Sequence, residues 1–108
     1  MKKVAYLSIP AIALLTVAGF ASTAHAADGA TLYKMKTCWS CHGKDAKSPI
    51  MPIYPKLAGQ NADYLFNQMK DIKSGARNNG QTAAMKGVMG LVSEEDMRTL
   101  ADWLSTQQ

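Results

Sequence analysis

The chain has 108 residues, a length that allows one small domain and excludes a multidomain enzyme. Hydrophobic residues make up 47% of it and aromatic residues 7%, which excludes a disordered tail and a nucleic-acid platform rich in stacking rings. The formal net charge is +4, from 12 basic and 8 acidic side chains. Composition alone therefore indicates a small folded domain and no particular activity.

Residues 1–26 have the pattern of a secretory signal peptide. Two lysines near the start precede an apolar stretch, and residues 24–26, Ala-His-Ala, supply a small-x-small cleavage site. The alternative is an uncleaved membrane anchor, because residues 4–27 contain no Asp, Glu, Lys or Arg. Polar residues and Pro10 within the stretch favour cleavage after Ala26. We therefore expect export to the periplasm and one mature domain, residues 27–108.

The mature segment would be about 80 residues long, near the size at which apolar burial alone barely offsets chain entropy. Cleavage would remove Lys2 and Lys3 with residues 1–26, so the net charge would fall from +4 to +2. Nucleic-acid binding needs a dense basic face, so no nucleic-acid partner is expected. A disulfide, a metal or a large cofactor would help such a domain to fold.

Both cysteines of the chain lie in one pentapeptide, Cys38-Trp39-Ser40-Cys41-His42. A disulfide across it would close a very short loop and stabilise the fold little. A zinc site needs two further soft ligands, and residues 27–108 contain no other Cys or His. Two interpretations remain: the redox-active disulfide of a thiol–disulfide oxidoreductase, and attachment of a c-type haem, with both thiols bonded to haem vinyl groups and His42 on the iron.

Secondary structure distinguishes these two interpretations, because a thiol–disulfide oxidoreductase normally needs a central sheet. Three helices are predicted: one over residues 30–36, one after residue 61 that stops at Gly75, and one that starts at Ser93. Three prolines make residues 43–55 irregular, and residues 81–92, with two glycines, are predicted to form a loop with at most a short helical turn. No segment alternates with period two, so the all-α prediction favours haem.

Three features of the mature chain together resemble a known family. They are the sequence C-x-x-C-H-G at residues 38–43, the sequence Pro-Lys-Leu-Ala-Gly-Gln at residues 55–60, and a Met-bearing loop before a C-terminal helix. The chain resembles the class I cytochromes c, in particular one haem domain of the periplasmic dihaem cytochromes c. The resemblance implies a small cytochrome c fold, with three main helices and irregular loops around one covalent haem. It also implies a close crossing of the first and last helices, formed by Gly29, Tyr33, Leu100 and Trp103.

The resemblance assigns roles around the haem as well. Cys38 and Cys41 would carry the covalent bonds, and His42 would ligate the iron. The backbone carbonyl of Pro55 would accept the Nδ1–H of His42, which fixes the tautomer. Leu57 would pack on the haem.

The second axial ligand is expected to be a methionine, because the mature chain has a single histidine. Met69 and Met97 lie on apolar helical stripes and are explained as core residues. The resemblance places the ligand at Met85, eight residues before Ser93, with Met89 as the alternative. A thioether suits ferrous iron, so this ligation would raise the reduction potential relative to two histidines.

With both axial positions filled by the protein, no small-molecule substrate is expected at the iron, and no other catalytic set is evident. The resemblance therefore implies a periplasmic one-electron carrier with protein redox partners, and not an enzyme. One alternative is the electron-accepting subunit of a larger periplasmic dehydrogenase, for example one acting on a sulfur compound. The other is the thiol–disulfide oxidoreductase.

Overall fold

A computed structural model describes residues 2–8, 10–13 and 27–108. Within these ranges the chain forms five helices. Within those ranges there is no strand, which confirms the all-α prediction. The helices are α1 (Gly29–Met35), α2 (Trp39–His42), α3 (Ala62–Ser74), α4 (Thr82–Met89) and α5 (Glu94–Ser105). The three predicted main helices correspond to α1, α3 and α5.

The predicted cleavage site, residues 24–26, lies outside the described residues. Cleavage after Ala26 therefore stays a prediction. Among the described helices, none combines the length and the apolar character needed to cross a membrane.

Each main helix has a boundary that its sequence explains. The Asp28 carboxylate accepts a hydrogen bond from the N–H of Thr31 at 2.8 Å and caps α1. Helix α3 stops at Gly75, whose φ of 86° lies in the left-handed region that favours glycine. The Ser93 hydroxyl accepts from the N–H of Asp96 at 3.1 Å, and acidic residues fill the first turn of α5. These boundaries confirm the predicted starts and stops.

Helix α1 crosses α5 at a point where only glycine fits. A Cβ atom at Gly29 would overlap the side chain of Trp103 and would lie 3.1 Å from the carbonyl oxygen of Thr99. One turn further along, the ring of Tyr33 packs against that of Trp103, with centroids 5.4 Å apart at an interplanar angle of 46°. The close crossing implied by the resemblance is therefore confirmed.

The apolar faces of α1, α3 and α5 meet in a single core. At the surface, Arg98 joins α5 to α3: it donates two hydrogen bonds of 2.8 Å to Asp63 of α3 and lies over the ring of Phe66. The buried side chains of the three helices are Leu32, Tyr33, Leu65, Met69, Ile72, Met97, Leu100, Ala101 and Leu104.

Helix α4 differs from the sequence prediction of a loop with at most a short helical turn. Gly87 and Gly90 favour a loop, since glycine inside a helix costs about 1 kcal/mol relative to alanine. Tertiary burial outweighs that cost: Met89 and Val92 are each 1% exposed. Gly90 itself follows the last helical residue, so only Gly87 lies inside the helix.

Residues 43–61 are irregular, as their prolines predict. Gly43 has a φ of 85°, and a Cβ atom there would overlap the backbone carbonyl of Ser48. The O–H of Tyr33 donates to the carbonyl oxygen of Gly43 at 2.5 Å. This bond ties α1 to the residue that directly follows the Cys38–His42 pentapeptide.

The Gly29 crossing yields a stability prediction with a matched control. Gly29→Ala should lower the free energy of unfolding by about 1–3 kcal/mol, because the added methyl group overpacks the contact with Trp103. Gly87→Ala, at a helical position with open space, should leave it unchanged or raise it by up to about 1 kcal/mol. Urea unfolding followed by far-UV circular dichroism measures both. Equal stability of the two variants would contradict the tight crossing.

Candidate functional site

One helical turn brings the motif residues together. After α1, Thr37 adopts a positive φ of 61°, and the chain enters the short helix α2. The N–H of His42 donates to the carbonyl oxygen of Cys38 at 3.0 Å, which closes the turn. Residues three apart lie on one face of a helix, so Cys38 and Cys41 share a face. Both cysteines and His42 line the same cavity.

The surroundings of Cys38 do not favour a reactive thiolate. Burial raises the pKa of the Cys38 thiol to about 11. Thiol–disulfide oxidoreductases depend on the opposite shift, because the thiolate is the nucleophile. Together with the lack of a sheet in residues 27–108, the raised pKa counts against that alternative.

His42 is arranged as a neutral ligand. It is 6% exposed, and its Nδ1 lies 2.8 Å from the carbonyl oxygen of Pro55. A carbonyl can only accept a hydrogen bond, so Nδ1 carries a proton, and in the neutral ring Nε2 then keeps its lone pair. Burial lowers the pKa of His42, which favours the uncharged ring. An imidazole whose Nδ1–H is fixed by a carbonyl is the form that binds a metal through Nε2.

The cavity beside these residues has a volume of about 410 Å³, within the range typical of small-molecule and cofactor sites. Leu57, half-buried, lines it from the irregular segment. Its walls are mostly apolar side chains from the helices, which include Leu65, Met69, Ile72, Leu100 and Leu104. Such a cavity suits a large ligand with an apolar body.

Two methionines of α4, Met85 and Met89, line the cavity one helical turn apart. Met89 is 1% exposed and belongs to the core, whereas Met85 is partly buried and packs against that core. Met69 lines the cavity from α3. The remaining methionines of residues 27–108 lie outside its lining: Met35 and Met51 are 64% and 46% exposed, and Met97 is buried.

The cavity wall includes a charged residue that the sequence analysis did not identify. Arg77 lines the cavity, and its guanidinium donates to the side-chain oxygen of Gln68 at 3.1 Å. The backbone N–H of Arg77 donates to the carbonyl oxygen of Asp71 at 3.0 Å. A guanidinium there suits a ligand that carries carboxylates. In the sequence Arg77 lies two residues after Gly75, the glycine at the end of α3, and has the pattern of a solvent-exposed turn residue. Its position at the cavity is a result of the tertiary fold.

The donor set fits a haem held by covalent bonds better than a metal held by side chains alone. Within the described residues no cluster of three or more His, Cys, Asp or Glu side chains could hold a metal ion. The site instead offers two thiols three residues apart, one neutral imidazole and an apolar cavity. These are the features of c-type haem attachment.

Comparisons with known proteins agree with this geometry. The family model of cytochrome c matches residues 26–108. Cytochrome c4 of Pseudomonas aeruginosa is 38% identical over 99 residues, which cover 90% of this chain and 47% of that protein. Cytochrome c-553 of Nitratidesulfovibrio vulgaris is 38% identical over 84 residues, which cover 78% of this chain and 80% of that protein. The thiosulfate dehydrogenase electron acceptor of Stutzerimonas stutzeri is 35% identical over 85 residues, 72% of this chain and 38% of that protein.

The chain spans about half the length of the cytochrome c4 relatives it matches. The resemblance to one haem domain of the dihaem cytochromes is thereby confirmed, and so is the expected cofactor, a covalent c-type haem. From the pentapeptide, the all-helical fold and the family match over residues 26–108, the chain belongs to the cytochrome c family.

Proposed function

We propose that the protein is a periplasmic one-electron carrier, with one haem bonded to Cys38 and Cys41. The observation that carries this proposal is His42, a buried and neutral imidazole whose Nδ1 is 2.8 Å from the Pro55 carbonyl, at the wall of a cofactor-sized cavity. When bound, the haem supplies reversible one-electron exchange at its iron. The family match supports the same chemistry.

The residues of the chain hold and surround this cofactor in distinct ways. His42 Nε2 would bind the iron, and the Pro55 carbonyl would keep the imidazole in one orientation and make it more basic. Leu57 and the apolar helical side chains exclude water from the ring. Arg77 is placed to pair with a haem propionate, because its guanidinium lines the same cavity.

We propose Met85 as the second axial ligand. Met85 and Met89 are one turn, about 5.4 Å, apart along α4 and cannot occupy one ligand position together. Core packing accounts for Met89, which is almost fully buried. Met85 lines the cavity and is only partly buried, so a haem in the cavity would cover the part of its side chain that the core leaves exposed. The resemblance to the class I cytochromes c supports the same residue.

With His42 and Met85 as its protein ligands, the iron would be closed to small molecules, and the function left would be electron exchange with protein partners. Much of the cavity wall belongs to the close-packed core, which would keep the reorganisation between oxidation states small. Covalent attachment prevents loss of the haem from an exported protein. Export and signal-peptide cleavage after Ala26 would deliver residues 27–108 to the periplasm.

A second candidate function is that of an electron-accepting subunit bound to a periplasmic dehydrogenase. A relative named thiosulfate dehydrogenase electron acceptor covers 72% of this chain at 35% identity. An apolar patch also lies beside the haem motif: Ile50, whose N–H donates to the Cys41 carbonyl at 3.1 Å, is 64% exposed, and Met51 and Ile53 are 46% and 56% exposed. A stable partner would cover such a patch.

The assignment of Met85 is tested on the ferric holoprotein. Met85→Ala should abolish the methionine-to-iron charge-transfer band, lower the reduction potential, and allow carbon monoxide to bind the ferrous iron. Met89→Ala should keep the band, and should lower the free energy of unfolding by about 2–5 kcal/mol because it leaves a cavity in the core. The reverse pattern, with the band lost only in Met89→Ala, would make Met89 the ligand.

Covalent attachment and export are tested by the intact mass of protein isolated from a periplasm that contains the haem-attachment machinery. The expected species is residues 27–108 plus one haem. Cys38→Ala combined with Cys41→Ala should carry no haem, and its circular dichroism should show little helix without a cooperative melt, since the cavity lacks its filling. Wild-type protein made without the attachment machinery is the matched control and should behave like the double variant.

The dehydrogenase candidate is tested by isolating the holoprotein under native conditions. A bound subunit that reduces the haem when a sulfur compound is added would establish it. Ile50→Ser combined with Met51→Ser, at two patch residues outside the cavity lining, should then weaken the complex, whereas Leu91→Ser, at a residue 74% exposed and outside the patch, should not. A carrier that stays monomeric, with its haem oxidised under these conditions, would exclude this second function.

A further inference from the structure

The link between α4 and α5 has two backbone carbonyls bonded to side chains. Leu91 and Val92 make up this link after Gly90, and their N–H groups donate back to the carbonyls of Val88 and Met89 at 3.0 and 3.1 Å. The carbonyl oxygens of Leu91 and Val92 accept from lysine ammonium groups instead. The end of α4 is therefore held from outside the helix.

The two lysines come from two other helices. Lys73, in the last turn of α3, places Nζ 2.5 Å from the carbonyl oxygen of Val92. Lys36, at the C-terminal cap of α1, places Nζ 2.8 Å from that of Leu91 and 3.9 Å from the carboxylate of Asp96. Hydrogen bonds from a charged donor are stronger than neutral ones, and positive charge near the end of α4 suits its dipole.

We propose that Lys73 and Lys36 are positioning residues that hold α4, and with it Met85, at the cavity. Both lysines lie outside the cavity lining, so they act through α4 and not on the cofactor. Helix α4 packs on α3, and these two bonds add restraints from α3 and from α1. The inference rests on the proposed function, because it requires that Met85 bind the haem iron.

The two lysines differ in what their removal leaves behind. Val92 is 1% exposed, so loss of Lys73 leaves a carbonyl at a site with little access to water. Leu91 is 74% exposed, so water can replace Lys36 at its carbonyl. Lys73 is therefore the stronger restraint. The α1–α5 crossing does not involve Lys73, and the helices distant from α4 should keep their packing when it is replaced.

The test measures how readily imidazole displaces the methionine from the ferric iron of the holoprotein. Lys73→Gln should raise the apparent imidazole affinity about tenfold, the change that corresponds to loss of one charge-assisted hydrogen bond. Lys36→Gln should raise it less. The matched control is Lys70→Gln on the same helix, where Nζ is 3.5 Å from Glu94 at the exposed surface; it should leave the affinity at the wild-type value.

The outcomes separate this inference from the proposal on which it rests. A wild-type protein without the methionine charge-transfer band, or a Met85→Ala variant that retains it, would overturn Met85 as the ligand. With that ligand established, a Lys73→Gln variant that binds imidazole as the wild type does would overturn only the role of Lys73. A lower urea midpoint without a change in imidazole affinity would also overturn it, since Lys73 would then act on overall stability.

Discussion

Much of the buried core of this domain also forms the wall of its cavity, and the rest of the structure depends on that shared surface. Leu65, Ile72 and Leu100 belong to the buried cluster and also line a cavity of about 410 Å³. In a domain of about 80 residues, apolar burial is scarce, and an unfilled cavity of this size removes contacts from every wall residue. Stable packing of the domain therefore depends on the cofactor that fills this cavity.

The two sides of the proposed iron site are held in place in different ways. On one side, His42 is fixed within a short helical turn whose cysteines would be bonded to the haem, and the Pro55 carbonyl holds the imidazole. On the other side, the methionine belongs to α4, a separate helix packed on α3. The histidine side is restrained within its own short segment, whereas the methionine side is restrained by bonds and packing between helices.

Sequence patterns predict the parts of this fold that depend on local chemistry. Short-range hydrogen bonds and backbone preferences determine the caps at Asp28 and Ser93 and the stop at Gly75, and the structure contains all three. The haem motif is likewise recognised from adjacent residues, and it forms the short helix α2. Two features follow from tertiary packing instead and could not be predicted. Burial of Met89 makes α4 helical in spite of Gly87, and the course of the chain after α3 turns Arg77 toward the cavity.

The contact between Gly29 and Trp103 joins helices from opposite ends of the domain, which has a consequence for the order of folding. Export led by an N-terminal signal peptide would bring the Cys38–His42 segment into the periplasm before α5. Until the last helix arrives, α1 has no surface on which to dock, and the thiols stay accessible to an attachment enzyme. Docking of α5 onto α1 would then follow haem attachment, and a chain truncated before Trp103 would carry its haem in an open, protease-sensitive form.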